Sequence, residues 1–500
     1  MTRHRVWLLY LSVLVLSACG LVYELALGAV SNFMLGDTLT QLSVVTGIYL
    51  SAMGAGAYVS RFCEDPARAF VECQLGAALI GGLGVPIVYL AFASLSDLHA
   101  IIYVLAFGSG ALVGAELPLV LRVLRRRVAF RDLLARALGI DYVGALIGAL
   151  IFGVLALPRL GALRSGILFG GIHAFSALWA IDLVGTHARP LRARALVVIA
   201  VLATTMVGSS KLVSAADEAL FADPVLFTQQ TQYQRIVITR GHGGVNLFLD
   251  GNLQFSEIDE HRYHEALVHP LFAVAKKHTH VLVLGGGDGL ATREILKYPD
   301  VETVTLVDLD PAMTSLSQSL PYLRALNHAS LSDPRVTVIN RDAMTWLMDL
   351  PVSTAFDTVV VDFPDPNNFA LGKLYTVRFY KLLRAHMTDG ALAVVQSTSP
   401  LVARESFWCI VHTIETAGFF TRAYHAFVPT FGEWGYALVA KNSFEVPTHV
   451  LGGLRSVTDE NVATMFALSP DMSEVAAEPN RLNNQILVRT YEEEWRRWMK

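Results

Sequence analysis

His280-Val-Leu-Val-Leu-Gly-Gly-Gly-Asp-Gly289 reads as a buried strand running into a glycine-rich turn, and Ala291–Lys297 behind it reads as a helix. Outward from that strand the pattern repeats. Thr303-Val-Thr-Leu-Val-Asp-Leu-Asp310 is a second buried strand ending in acids. Val336–Asn340, Thr358–Asp362 and Ala391–Gln396 are further strands, with helical stretches between them. Strands that alternate with helices imply an α/β fold on a doubly wound parallel sheet. In such sheets ligands gather at the carboxyl ends of the strands. Upstream, Arg235–Thr239 and Val245–Leu249 make a small N-terminal β unit, with Gly241, Gly243 and Gly244 in the turn between them.

Further upstream the composition changes. Residues 1–213 hold 16 Lys/Arg and 10 Asp/Glu, whereas residues 214–500 hold 23 and 33. The whole chain is only 16% charged with a mean hydropathy of +0.46, against roughly a quarter charged in soluble domains. A single globular domain, a disordered chain and a nucleic-acid binder, which needs a basic face, are excluded. Seven apolar stretches, at roughly 6–30, 40–60, 70–93, 100–121, 138–157, 161–184 and 195–213, reach the roughly 20 residues a bilayer-spanning helix needs. They predict a multi-pass α-helical domain in the cell (inner) membrane. Leu16-Ser-Ala-Cys19 looks like a lipoprotein cleavage box, but the apolar run continues to Val30, so the first span is expected to stay uncleaved.

Loop charges place Arg3, Arg5, Arg61, Arg68, Arg122, Arg125, Arg126, Arg127, Arg131, Arg136, Arg189, Arg192 and Arg194 in the cytoplasm. With seven spans that leaves the soluble half outside. Glu24, Glu116 and Asp141 fall within apolar spans, where a carboxylate suggests a cation path; the alternative is that they sit near span ends or pair with loop arginines. Gly144-x-x-x-Gly148 reads as close helix packing. Four cysteines are too few for a disulfide framework, and no zinc-ligand spacing occurs. The domain boundaries expected are 1–213 for the membrane part, 221–275 for the small β unit, 276–445 for the doubly wound part and 446–500 for a C-terminal extension.

The charged residues of the soluble half cluster at strand ends. Gly285-Gly286-Gly287-Asp288-Gly289 follows the first strand, Asp308 ends the second, Asp342 and Ala343 follow the third, and Asp362-Phe-Pro-Asp365 ends the fourth. A carboxylate about 20 residues after a glycine turn suits the two hydroxyls of a ribose, which describes Asp308. Asp342 is placed to accept from an adenine amino group. Strand-end capping is the competing reading for both. Asp288 narrows the ligand, because a fixed carboxylate in this turn repels a nucleoside whose tail carries a carboxylate and attracts one whose tail is only an amine. Asp288, Asp362 and Asp365 together make an acidic pocket suited to amines.

Tyr233-Gln234-Arg-Ile-Val, Leu249-Asp-Gly-Asn-Leu-Gln-Phe-Ser256 and Asp259-Glu-His-Arg-Tyr263-His264-Glu-Ala-Leu-Val-His-Pro270 closely resemble the spermidine synthases (polyamine aminopropyltransferases). So do the Gly-Gly-Gly-Asp-Gly turn, Asp362-x-x-Asp365-Pro366, Leu374-Tyr-Thr-Val-Arg-Phe-Tyr380 and Gly432-Glu-Trp-Gly435, a match covering about 225–442. The apolar front and the tail Asn480-Arg-Leu-Asn-Asn-Gln-Ile-Leu-Val-Arg resemble the bacterial membrane-fused branch of that family. The resemblance implies a Rossmann-like domain of the class I methyltransferase type. It also implies transfer of aminopropyl from decarboxylated S-adenosylmethionine to a diamine such as putrescine, giving spermidine and methylthioadenosine. No metal or other cofactor is implied, since the sulfonium is already a leaving group.

By position, Asp362 resembles the family's base and Tyr263 its assistant, while Asp365, Asp288 and His264 would hold amines. Gln234, Asp308, Asp342, Ala343 and the turn glycines Gly285 and Gly287 would hold the nucleoside. A homo-oligomer is implied by analogy. The sequence departs from the family at Asn367-Asn368-Phe369-Ala370, where Ile-Gly-Pro-Ala is usual, and at Phe431, where the family has a Tyr. Both changes lie on the acceptor side. Two other functions fit parts of the sequence: a methyltransferase using intact S-adenosylmethionine, which Asp288 opposes, and a membrane transporter or sensor that binds polyamine without turnover.

Overall fold

The computed structural model describes residues 3–35, 38–92, 98–125, 130–184, 188–351 and 353–498. The chain divides into two compact units, Met1–Gln232 and Tyr233–Lys500. The first holds helices α1 (Arg3–Leu35), α2 (Thr38–Val59), α3 (Pro66–Phe92), α4 (Leu98–Leu124), α5 (Phe130–Leu150), α6 (Leu157–Val184) and α7 (Ala188–Leu220), then strand β1 (Val225–Gln230). Arg126 and Arg127, counted among the loop charges, lie outside the described residues.

Among the described residues, six helical stretches are long and apolar enough to cross a bilayer, rather than the seven expected. The difference lies in one run of 50 residues, Leu133–Asp182. No polar loop interrupts it, because α5 passes through a π-helical segment, Ile151–Ala156, directly into α6. The run is still two traverses of the bundle. On α5, a Cβ at Gly144 would stand 2.4 Å from the Leu14 carbonyl oxygen and one at Gly148 would stand 2.4 Å from that of Ala18, so α5 runs in the same direction as α1 in backbone contact. On α6, His173 meets Tyr23 while Trp179 Nε1 donates to Ser12 Oγ at 2.6 Å, so α6 runs opposite to α1. The chain reverses between them, at Gly161, whose φ of 74° is non-helical.

Glu116 neither sits at a span end nor pairs with a loop arginine. Its side chain is 2% exposed and lies 3.2 Å from His173 Nε2 on the neighbouring α6. Arg122 instead donates to the Ser60 and Cys63 carbonyl oxygens, both at 2.8 Å, closing the end of α2.

In the second unit, β2 (Arg235–Gly241), β3 (Gly244–Leu249) and β4 (Asn252–Ser256) pair antiparallel in sequence order. A helix, Glu260–Val274, follows them. The main sheet contains β5 (His280–Gly285), β6 (Thr303–Asp308), β7 (Val336–Asn340), β8 (Phe356–Asp362), β9 (Met387–Gln396), β10 (Phe420–Val428) and β11 (Gly432–Ala440), in the order β10-β11-β9-β8-β5-β6-β7. Val281, Leu282, Val283 and Leu284 of β5 are all fully buried, as a strand covered on both faces requires.

The sheet is mixed rather than wholly parallel. β10 and β11 are joined by a tight turn with no crossover helix, so they can pair only antiparallel, and β11 carries that direction onto β9. The five parallel strands keep their carboxyl ends on one edge, and the site forms there.

Candidate active site

The glycine turn after β5 ties three strand ends together. Gly286 N donates to the Asp362 carbonyl oxygen at 3.1 Å and Gly287 N donates to Asp308 Oδ2 at 3.1 Å. Gly285 has φ 83°, and a Cβ there would lie 2.1 Å from the Asp362 carbonyl oxygen, so no side chain fits. A Cβ at Gly287 would stand 2.6 Å from Asp308 Oδ2. These glycines let the turn lie flat against the Asp362 backbone and the Asp308 carboxylate.

Asp362 sits at the end of β8, and the Tyr263 hydroxyl donates to its Oδ1 at 2.7 Å from the helix Glu260–Val274. Burial, helped by the Asp288 charge, pushes the Asp362 carboxyl up to about 6 against the opposing pull of His264 and the Tyr263 hydrogen bond. Asp288 is likewise raised, first by burial, while its Oδ1 accepts from Leu290 N at 2.8 Å. Tyr263 is flanked by Tyr436, at 5.6 Å between ring centroids, and by Phe431, at 6.1 Å. The position where the family carries a hydroxyl therefore adjoins this pair.

His264 does not present itself as a bare acceptor for an amine. Its Nδ1 lies 2.8 Å from the Glu260 carbonyl oxygen and 3.0 Å from Glu260 Oε2. Burial alone would lower its proton affinity, but that bond and the charges of Glu260, Asp288 and Asp362 raise it overall. Glu260 is in turn gripped by both guanidinium nitrogens of Arg293, at 3.0 and 2.8 Å. Neither Glu260 nor Arg293 stands out in the sequence as a site residue, although Glu260 lies inside the Asp259–Pro270 motif.

On the nucleoside side, Asp308 accepts from Gly287 N and, at 2.9 Å, from Asp310 N. Burial and the neighbouring Asp310 and Asp288 charges push it up to about 6 against those backbone bonds. Asp308 is not the helix cap. Asp310 takes that part, accepting from Ala312 N at 3.0 Å, and Gln234 Nε2 donates to its other oxygen at 3.1 Å. Asp342 is a cap: it accepts from Thr345 N at 3.0 Å at the head of the helix Ala343–Asp349 and lies 2.6 Å from Lys373 Nζ. Strand-end capping is thus what its carboxylate does in this structure, with Ala343 buried beside it.

Asp365 is held by three side-chain donors. It accepts from Gln396 Nε2, Thr398 Oγ1 and the Tyr491 hydroxyl at 2.9, 2.9 and 2.7 Å, and burial raises its carboxyl against these three bonds. Gln396 and Thr398 close the end of β9, where the strand-end rule would have found them. Nothing in the sequence near Asp365 points to Tyr491.

Residues 260–448 match the spermine/spermidine synthase domain model. A polyamine aminopropyltransferase of Leptospira interrogans is 43% identical over 98% of this chain and 99% of its own. This chain belongs to the polyamine aminopropyltransferase family. A second relative, polyamine aminopropyltransferase 2 of Ralstonia nicotianae, is 46% identical over 98% of both chains, and the enzyme of Mycobacterium tuberculosis is 38% identical over 96% of this chain and 94% of its own. The similarity runs through the helical unit as well as the catalytic one. A solved spermidine synthase in complex with the transition state analogue AdoDATO is 26% identical and covers 49% of this chain and 85% of its own, with a TM-score of 0.46. The chain is an aminopropyltransferase of the spermidine synthase type, which sets aside the methyltransferase and the non-catalytic binder.

Proposed function

We propose that this aminopropyltransferase takes decarboxylated S-adenosylmethionine as donor and a diamine such as putrescine as acceptor, with Asp362 as the base. The observation that carries this reading is Asp362 itself: a buried carboxylate held at one oxygen by Tyr263 and pushed up to about 6, with Asp288 and Asp365 beside it to receive ammonium groups. The diamine nitrogen attacks the propyl carbon bonded to the sulfonium. As the C–N bond forms, the C–S bond breaks, methylthioadenosine leaves with the electron pair, and the nitrogen's surplus proton passes to Asp362. The sulfonium is already a good leaving group, so the work left to the protein is alignment and proton removal.

Asp308 takes the ribose hydroxyls, and Gln234, Gly285, Gly287, Asp342 and Ala343 bound the nucleoside around it. His264, held as a cation by Glu260, moderates the repulsion between Asp288 and Asp362 when no amine is bound. The test is to incubate detergent-purified enzyme with decarboxylated or intact S-adenosylmethionine and putrescine, cadaverine or spermidine, and to read products by mass spectrometry. Methylthioadenosine is expected only with the decarboxylated donor and a diamine; equal product from intact S-adenosylmethionine would refute the donor.

Turnover should also follow the state of the base. A base must be deprotonated to accept a proton, and a carboxyl raised to about 6 is protonated below that point. The pH dependence of kcat/KM, which follows the ligand-free enzyme, is expected to show a fall as the pH drops through about 6 and a plateau above it. A profile flat down to pH 4.5 would remove Asp362 from this role.

The helical unit is proposed to be embedded in the cell (inner) membrane, with Leu133–Asp182 crossing twice because the chain reverses at Gly161. Recovery in the membrane fraction after an alkaline carbonate wash is expected; release by that wash would place the protein on the surface. A reporter fused at each end then reads the parity of crossings and the side of the catalytic half.

A further inference from the structure

The C-terminal helix Ile486–Trp498 reaches the acceptor side of the site from outside the matched domain. Its Tyr491 hydroxyl donates to Asp365 Oδ2 at 2.7 Å, across 126 positions of sequence. Thr398 Oγ1 donates to the same oxygen and Gln396 Nε2 to the other, both at 2.9 Å. All three donors are neutral. They fix the carboxylate's orientation and leave its charge for an incoming cation, and a carboxylate with about four acceptor positions still has one to offer.

The helix is fastened at several points. Glu494, one turn beyond Tyr491, accepts from Glu405 N at 2.8 Å, Ser406 N at 3.0 Å and Ser406 Oγ at 2.6 Å, so it caps the helix Arg404–Thr416. Asn480, fully buried, donates to the Gly372 and Tyr375 carbonyl oxygens at 3.0 and 3.1 Å. A Cβ at Gly372 would stand 2.4 Å from Val488 Cγ2, so the tail presses directly on the segment Phe369–Gly372. That segment overlaps Asn367–Ala370, where the sequence departs from the spermidine synthases. The tail therefore packs where the acceptor loop differs.

We propose that Tyr491 is a positioning residue of the acceptor site, and that the C-terminal helix carrying it forms part of that site's wall: it turns Asp365 to receive the distal ammonium of the diamine. The inference rests on the amine-holding role given to Asp365 above. Chemistry at Asp362 does not pass through Tyr491, so the effect falls on acceptor binding.

Tyr491→Phe keeps the ring against Trp495, 5.9 Å away between centroids, and removes only the donor. In the full-length enzyme, KM for putrescine is expected to rise about tenfold, the scale of one hydrogen bond to a charged group. KM for decarboxylated S-adenosylmethionine and kcat should stay within about twofold. Loss of the donor also raises the proton affinity of Asp365, so the acid limb of kcat/KM for putrescine moves to higher pH while the acid limb of kcat stays.

Asp365→Asn is measured alongside, with Thr398→Val as a second probe of the same carboxylate. A selective rise in putrescine KM in all three variants supports the inference. A rise in Asp365→Asn and Thr398→Val but not in Tyr491→Phe overturns it and leaves the reading of Asp365 standing. No rise in any variant overturns both. Both KM values of Tyr491→Phe rising together with a lower melting temperature reduces Tyr491 to packing, which also overturns it.

Discussion

Asp362→Asn is expected to lower kcat about a thousandfold without lowering the melting temperature. Asparagine has the shape of aspartate and can still accept the Tyr263 hydroxyl bond at 2.7 Å, so the geometry of the pocket survives. What it lacks is the basicity to take a proton from the attacking nitrogen, and general base catalysis accounts for roughly 10²–10⁴ of rate. Binding of the nucleoside should change little, since that end is proposed to rest on Asp308. The stability expectation follows from the direction of the Asp362 shift. A folded-state carboxyl at about 6 binds its proton more tightly than in the unfolded chain, so the contribution of this group to stability is lost as the pH rises from the ordinary carboxylate range through 6. At pH 7 the charged form is held at a cost, and a neutral amide relieves it. Retention of more than a tenth of wild-type kcat would remove Asp362 as the base, and a fall in melting temperature of several degrees would show that its charge is structural.

Much of this site is written at strand ends. The turn Gly285–Gly289, Asp308 and the Asp362–Asp365 pair each follow a run of buried aliphatic residues, and the parallel register brings those ends together: Gly285 lies opposite Asp362 and Asp308 opposite Asn340. Local pattern plus one topological rule was enough there. It failed where the deciding contact is remote or where local signals carry two meanings. Asp342 is a carboxylate at a strand end, yet it begins a helix, and Lys373, on the short 3-10 helix Lys373–Tyr375, settles its partner. β10 is not among the strands named from the sequence: its burial alternates imperfectly, with only Tyr424 and Val428 fully buried, and pairing with β11 completes it. The spans read at 138–157 and 161–184 meet with no polar loop between them, and the reversal at Gly161, with the direction of each helix against α1, keeps them two. Tyr491 has no local signature at all, because its meaning comes from an acid 126 positions away.

The largest effect on stability is expected at Glu260. Its carboxylate is 2% exposed and is shared between a bidentate Arg293 and His264 Nδ1. Arg293 also donates to Glu294 Oε1 at 2.9 Å and to the Leu326 carbonyl oxygen at 2.9 Å. Glu294 in turn lies 2.8 Å from His269 Nε2. Glu260→Gln removes one charge from the middle of this buried chain and strands the others. Breaking one side of a buried pair costs about 3–5 kcal/mol, which in a unit of this size corresponds to roughly 10 °C in melting temperature. Glu474→Gln serves as the control, since Glu474 is 68% exposed in its pair with His412, and exposed pairs contribute about 0–1 kcal/mol. The pH dependence has a definite sign. Burial alone would raise the Glu260 carboxyl, but His264 and Arg293 together hold it down at about 2. Its contribution is therefore fully present above the ordinary carboxylate range and is lost as the pH falls through 2, so the wild type should outlast the variant by the widest margin near neutrality. The substitution also reaches the chemistry: without Glu260, His264 gives up its proton more readily, and Asp362 loses the positive charge that tempers it. The acid limb of kcat/KM should then move above 6. A variant that melts within 2 °C of the wild type, with its acid limb unmoved, would show that the Glu260 network neither holds the unit together nor sets the charge at the base.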